Sequence, residues 1–424
     1  MAAGRNIRGH RPPLEWGVRL ALAFAICWLG YIAAGRSLAV ALSDRTTDRA
    51  YQIAPGDAQV AAEWSRRLLN DRITAMGDQP LRGRALNQLL AEPEAIARRA
   101  LRLDAVAVPA VTTLGLAAQL RGDVTAARAR FNYAERLSRR DLPTQLWMIE
   151  DAVARNDIPG ALRHYDTALR TRWGSWDLLF PVLASAASDP AVVPDLVRLL
   201  VTRPTWAPSF LTFMAEKGSD PAAAARLFMA LNRVGMPIAQ EARASVVDAL
   251  LAAGDRERAW LYYASALRDA DRTRSRDPNF SAMLQHPSRL DWVGASSDLG
   301  LTSSIQRAGR GGLLDFAAPP SVGGTLVQQI QLLPAGRYVL EGRSTGIAQP
   351  PESRPYWILT CTSDARELGR VEVPDSARDN GLFSGEIVVP PGCPVQYLAL
   401  IARGSNALEG LSGQIVRAEL RPAS

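Results

Sequence analysis

The side chains able to do acid–base, nucleophilic or metal chemistry are scattered along this sequence. Its three histidines stand far apart: His10 near the N-terminus, His164 in a helical stretch and His286 in a polar segment. None lies at metal-ligand spacing from another His or from a Cys. No GxSxG elbow, no P-loop and no GxGxxG run leading into a helix occurs. The run Gly309-Arg310-Gly311-Gly312 reads as a loop entering a strand and says little about phosphate. Acidic pairs are present, but no spacing sets two of them across a cleft. The sequence therefore assigns no catalytic residue, no metal and no cofactor. The three cysteines make no CxxC and no Cys/His cluster, which argues against zinc. Cys27 lies in an apolar stretch near the N-terminus. Cys361 and Cys393 lie in the last third of the chain, and in an oxidising compartment they could pair. The loop so closed, roughly 30 residues, is worth about 3–4 kcal/mol in the chain-entropy model. The other reading is two buried thiols.

The chain that must position these groups has 424 residues, 47% apolar and 21% charged, enough for two or three folded units with real cores. Its net charge is +7. The cations are nearly all Arg, with Lys217 the only lysine, and they are spread among Asp and Glu. No basic block interleaved with aromatics appears, so nucleic acid is not an expected partner.

Near the N-terminus, Arg5, Arg8, His10, Arg11 and Arg19 oppose one acid, Glu15, ahead of the uncharged run LALAFAICWLGYIAA over residues 20–34. Counted from Trp16 to Gly35 the segment reaches the ~20 residues needed to cross a bilayer. Trp16, Trp28 and Tyr31 can anchor at the interfaces, and the positive-inside rule puts the N-terminus in the cytoplasm. The rival reading is a cleavable signal, because Ala39-Val40-Ala41 fits a small-x-small cleavage site. Arg36, between the apolar run and that site, favours a retained anchor. Both readings export the rest of the chain.

The middle repeats. Gly122, Ala127, Phe131 and Ala134 align with Asn156, Ala161, Tyr165 and Ala168, each pair 34 residues apart. Ala224, Phe228 and Leu231 after Gly218 form a third set, and Gly254, Ala259, Tyr263 and Ala266 a fourth. Ala97 and Ala100 precede the first by the same step. The pattern describes helical hairpins: a small residue at the turn, alanines where helices approach, an aromatic filling the gap. One hairpin cannot bury its apolar face, so several must stack. With Leu114-Gly115 upstream of the first set, the region resembles the tetratricopeptide-repeat family. It departs from that family in lacking the Trp near each repeat start and the closing Pro, and it loses phase between 170 and 240. The resemblance implies a solenoid binding a protein along the concave face of its first helices, where Thr112, Gln119, Trp147 and Glu150 would lie. The alternative is that these four are ordinary packing and surface residues.

After about residue 275 the pattern changes to eight or nine short alternating runs separated by Pro/Gly turns, which suggests an antiparallel β-sandwich or jelly roll. LVQQIQLLPAGRYVLEG resembles the paired strands of jelly rolls of the carbohydrate-binding-module kind. That resemblance implies glycan stacking on exposed aromatics among Tyr356, Trp357 and Tyr397; the alternative is that they fill the core. Alternation puts Trp357, Leu359 and Cys361 on one face.

The sequence thus reads as a multi-domain α+β chain: a basic cytoplasmic leader (1–15), a transmembrane helix (16–42), a tetratricopeptide-like solenoid (44–272), a connector (273–288) and a β-sandwich (289–424). The expected protein is a single-pass inner-membrane adaptor with its bulk in the periplasm. It would hold a protein partner and serve, by resemblance to repeat proteins of that setting, cell-surface polysaccharide assembly or export. Two other functions remain open, a carbohydrate-binding envelope protein and an enzyme acting on envelope glycan.

Overall fold

A computed structural model of the chain describes residues 13–42, 46–77, 81–267, 269–294, 300–309, 311–377, 379–404 and 410–423, without the side chains of 13–21, 32, 36, 39, 40, 42, 173 and 379. The chain divides into two compact units, Met1–Trp176 and Asp177–Ser424.

The first unit is helical: α1 (Pro13–Leu42), α2 (Thr47–Ile53), α3 (Ala58–Met76), α4 (Gly83–Leu103), α5 (Val108–Leu120), α6 (Val124–Leu137), α7 (Leu142–Ala154) and α8 (Ile158–Thr171). Most of the expected leader lies outside the described residues. The expected span falls within α1, whose Leu22, Phe24, Ile26, Trp28, Leu29 and Tyr31 are exposed. Among the described residues no helix is long and apolar enough to cross a membrane.

Helices α3 and α4, α5 and α6, and α7 and α8 pack as successive pairs. The residues that align at 34-residue spacing occupy equivalent places. Gly122 and Asn156 turn the chain in the left-handed region, at φ 81° and 56°, a conformation open to Gly and tolerated by Asn. Ala127, Phe131 and Ala134 are buried, as are Ala161, Tyr165 and Ala168. Gly115 explains why Phe131 fits: a Cβ there would lie 2.9 Å from the Phe131 ring. Helices α6 and α8 each open on an aspartate whose carboxylate accepts a backbone N–H, Asp123 from Ala126 and Asp157 from Gly160, both at 2.9 Å. Such caps satisfy one of the amides a helix start leaves unpaired.

The second unit begins with α9 (Trp176–Ala186, starting at the boundary), α10 (Val193–Val201), α11 (Ala207–Glu216), α12 (Pro221–Arg233), α13 (Gln240–Ala252) and α14 (Arg256–Ala264). Where the repeat loses phase, Phe180, Trp206 and Phe210 form an aromatic cluster with centroids 5.5–6.4 Å apart. Gly218 is not a left-handed turn like Gly122 or Gly254; it is needed because a Cβ would lie 2.5 Å from the Met214 carbonyl. Asp220 and Asp255 again cap α12 and α14.

Among the described residues the unit continues into ten strands: β1 (Val293–Gly294), β2 (Thr302–Ala308), β3 (Gly311–Ala318), β4 (Gly324–Gln331), β5 (Gly336–Thr345), β6 (Tyr356–Cys361), β7 (Glu367–Glu372), β8 (Leu382–Val389), β9 (Gln396–Ala402) and β10 (Leu411–Pro422). Every pairing is antiparallel, in sheets of order β1-β4-β9-β6-β7 and β2-β3-β10-β5-β8. Without the edge strands β1 and β2, the orders 4-9-6-7 and 3-10-5-8 make a jelly roll. The core between the sheets holds Leu314, Phe316, Leu340, Trp357, Leu359, Leu398, Leu400, Ile415 and Leu420.

Three expectations need correction. Pro334-Ala335-Gly336 does not close a hairpin: β4 and β5 belong to different sheets, so the turn crosses the sandwich. Tyr338 beyond it is buried, its hydroxyl donating to the Pro334 carbonyl at 2.9 Å. Strand β2 has no counterpart among the expected runs; as an edge strand with one aliphatic residue of any size, Ile305, it shows no apolar alternation. Finally, 273–288 is not a free connector. The Ser275 amide donates to the Leu420 carbonyl, the Ala418 amide to that of Pro278, and Phe280 is fully buried in the sandwich core. Polar composition hides this, because backbone groups make the links.

Candidate functional site

In the first unit, α3, α5 and α7 converge on a cleft of about 200 Å³. Arg66, Leu69 and Asn70 come from α3, Thr112 and Leu116 from α5, and Pro143, Leu146, Trp147 and Glu150 from α7, with Phe131 of α6 below. Three of the four expected partner-binding residues, Thr112, Trp147 and Glu150, line it. The fourth, Gln119, lies beside it and its Oε1 accepts from Trp147 Nε1 at 3.3 Å. The Trp147 indole stacks on Phe131 at 4.5 Å, tilted by 11°. The indole is mostly buried and held from two sides, so its orientation is fixed before any ligand arrives. Thr112 spends its proton within α5, donating to the Pro109 carbonyl at 2.9 Å. Glu150 and Asn70 are exposed and have no side-chain partner among the described residues. Arg66 is pinned to Glu63 at 2.6 Å and to Asp141 at 3.4 Å. The cleft therefore offers an apolar floor of one side chain's size and a rim of free hydrogen-bonding groups.

Ion pairs brace the helices that shape the cleft. The Arg128 guanidinium, bonded at 2.6 and 3.1 Å, holds the buried Asp151 carboxyl below the usual carboxylate range against the opposing effect of burial, and Arg155 adds to it. Burial would raise Glu94, but Arg121 and Arg98 outweigh it and hold that carboxyl low. His164 is largely covered. Its Nδ1 lies 2.9 Å from Gln145 Oε1 and 3.4 Å from Glu135, and burial lowers its pKa. Gln145 of α7 packs against it.

The expected glycan-stacking set does not form a platform. Trp357 is fully buried between the sheets, 5.6 Å from Trp292, so it fills the core. Tyr356 is half-exposed, but Arg370 of β7 and Arg403 beyond β9 lie over its ring at 4.2 and 4.6 Å. Tyr397, on the same sheet, accepts from Arg289 at its hydroxyl. Period-two alternation separates two faces without saying which is covered. Cys361 and Cys393 are joined in a disulfide between the end of β6 and the turn before β9.

Sequence reasoning missed the capping aspartates, although their signal was legible: Asp123, Asp157, Asp220 and Asp255 each follow a Gly, Asn or Ser at the repeated turn. It also missed a larger cavity of about 750 Å³ in the second unit, where α12, α13 and α14 meet the segment 269–291. Among the described residues no group of three or more His, Cys, Asp or Glu could hold a metal ion.

No family model matches the chain, and no curated protein matches it. Among solved structures, a glycosylation-associated protein complex from Streptococcus agalactiae aligns at 12% identity over 31% of this chain and 44% of that one, with a TM-score of 0.22. The enzymatically active domain of tailspike protein 4 from bacteriophage CBA120 aligns at 9% identity over 31% of this chain and 19% of that one, with a TM-score of 0.21. The chain spans less than half the length of either, and likeness at this level supports no functional argument.

Proposed function

We propose that the protein is a non-catalytic, membrane-anchored periplasmic adaptor, accessory to cell-surface polysaccharide assembly or export. Its tetratricopeptide-like helices hold a protein partner in the cleft of α3, α5 and α7. The observation that supports this reading most is the cleft itself. Three successive first helices of the hairpins contribute to it, as the repeat resemblance implies for a binding face. Its floor of Leu69, Leu116, Trp147 and Phe131 has the size for one large apolar side chain. On its rim Asn70 offers a donor and Glu150 an acceptor for the peptide groups of a bound segment. Anchoring draws its support from the uncharged run in the 30-residue α1 and the basic residues before it.

The test is site-specific photo-crosslinking in membranes from cells expressing the full chain. A photoreactive side chain at position 150 should yield a discrete adduct with one partner, and Trp147→Ala should abolish it. The same probe at exposed Arg163, on α8, should yield none. An adduct that survives both Trp147→Ala and Glu150→Arg, probed from Asn70, would place the partner elsewhere and end the proposal.

A further inference from the structure

The first unit has an edge along which the chain passes from one hairpin to the next. Helix α2 ends at Ile53, α4 at Leu103 and α6 at Leu137, and residues 54–57, 104–107 and 138–141 connect them to α3, α5 and α7. These ends lie side by side. Tyr51 of α2, Leu101 of α4 and Ala107 share one apolar cluster. Tyr133 of α6 donates from its hydroxyl to the Ala105 carbonyl at 3.1 Å.

Arginine recurs along this edge at the period of the repeat. Arg102, Arg136 and Arg170 follow one another at 34-residue steps, in the last turns of α4, α6 and α8, and all three are exposed. The negative end of a helix accounts for an arginine in its last turn. It does not account for Arg139 and Arg140, which are exposed in the connection after α6. The side chains of Arg99, Arg102, Arg139 and Arg140 make no hydrogen bond or ion pair among the described residues. The neighbouring acids are engaged within the fold. Asp104 accepts from the Val106 amide at 3.1 Å, Asp141 caps α7 and meets Arg66, Asp166 holds Arg170 at 2.7 Å, and Glu135 lies 3.4 Å from His164. Among the cations stand three exposed aliphatic side chains, Ile53, Leu103 and Val106, at 46%, 53% and 57% exposure.

We propose that this edge rests on the anionic headgroups of the bilayer, with Leu103 and Val106 entering the interface. Unpaired guanidiniums match lipid phosphates, and exposed aliphatic side chains match the boundary of the acyl chains; a surface that lies on a membrane uses both. A soluble polyanion would take the charge and leave Ile53, Leu103 and Val106 in water. The edge is also close to the end of α1 along the chain. The seven residues of α2 that lead to it span only about 10 Å at 1.5 Å per residue. The inference rests on the anchoring part of the reading above and draws nothing from the partner cleft.

The experiment reconstitutes the full chain, with Cys27→Ser, into vesicles of phosphatidylcholine alone or with phosphatidylglycerol, each doped with a lipid carrying a nitroxide on its headgroup. A fluorophore is attached at Val106→Cys or, as control, at Val153→Cys, an equally exposed position at the far end of α7. Quenching at 106 should exceed that at 153 in the anionic vesicles and fall to the control level in phosphatidylcholine alone and in high salt. Arg102→Gln, Arg139→Gln and Arg140→Gln together should weaken the contact about fivefold or more, and lysine at the same three positions should restore it, which separates lost charge from lost folding. Flotation in high salt reads the anchor by itself. A chain that floats but is quenched equally at 106 and 153 overturns this inference and leaves the anchor standing. A chain that does not float overturns the anchor and this inference with it. Quenching indifferent to anionic lipid or to the three arginines also overturns it, and capture of alginate with no lipid contact at 106 would assign the edge to a soluble polyanion instead.

Discussion

The helical first unit and the jelly roll of the second are built from contacts of very different range. In the first, Gly115 meets Phe131 and Arg128 meets Asp151, residues 16 and 23 apart in the chain. In the jelly roll, Gln414 bonds Asp315, Arg421 bonds Glu341 and the Leu420 amide bonds Ser275, with separations of 99, 80 and 145. Short-range contacts leave a period in the sequence, and long-range contacts leave only alternation. This is why the repeat pattern placed three of four cleft residues in one cleft, while the strand pattern put Trp357 on one face without saying that this face is the covered one.

The sharpest way to separate the two units is to cut the long-range tie in the jelly roll. Replacing Cys361 and Cys393 by Ser should cost about 3–4 kcal/mol, from the 32-residue separation that the bond closes. Hydrogen exchange should show the loss in β3–β10 and not in α3–α8; equal loss in both would mean that the units do not unfold separately. Next in size is Gly115→Ala. The new methyl would press on a Phe131 ring that cannot retreat because it stacks on Trp147, for a cost of about 1–3 kcal/mol. Denaturant unfolding of the helical unit reads this directly, and no change in midpoint would refute the close-approach account of Gly115.

The smallest effect tests electrostatics within the helical unit. Asp151→Asn keeps the shape but loses the charge on the α6–α7 tie. Because Arg128 and Arg155 are 39% and 48% exposed, solvent screens much of the pair, and the expected cost at neutral pH is about 1–2 kcal/mol. The folded carboxyl titrates below its unfolded value, so this stabilisation is complete above the unfolded pKa of about 4 and is lost as pH falls through the folded one. The gap between wild type and variant should therefore close in acid. A gap that persists at pH 2 would mean that Asp151 acts by packing.

Legibility in the sequence follows the same division. The buried alanines at 127, 134, 161 and 168 were readable because each repeat uses them in the same way, and the turn at Gly122 because little else adopts that φ. Most strands were readable from alternation; β2 was not, because an edge strand need bury only one face lightly. Of the site residues, Trp147 and Glu150 could be placed from helical phase. His164 could not, since covering it depends on where α7 lies.

The amino-acid order alone settled most of the helices and strands, β2 excepted, and most of the residues that face inward along the repeat helices, because periods of 3.6 and 2 are written locally. Tertiary structure decided that Trp357 faces the other sheet and that 273–288 belongs to the sandwich. Those outcomes depend on which distant surfaces meet, and no local period encodes that choice.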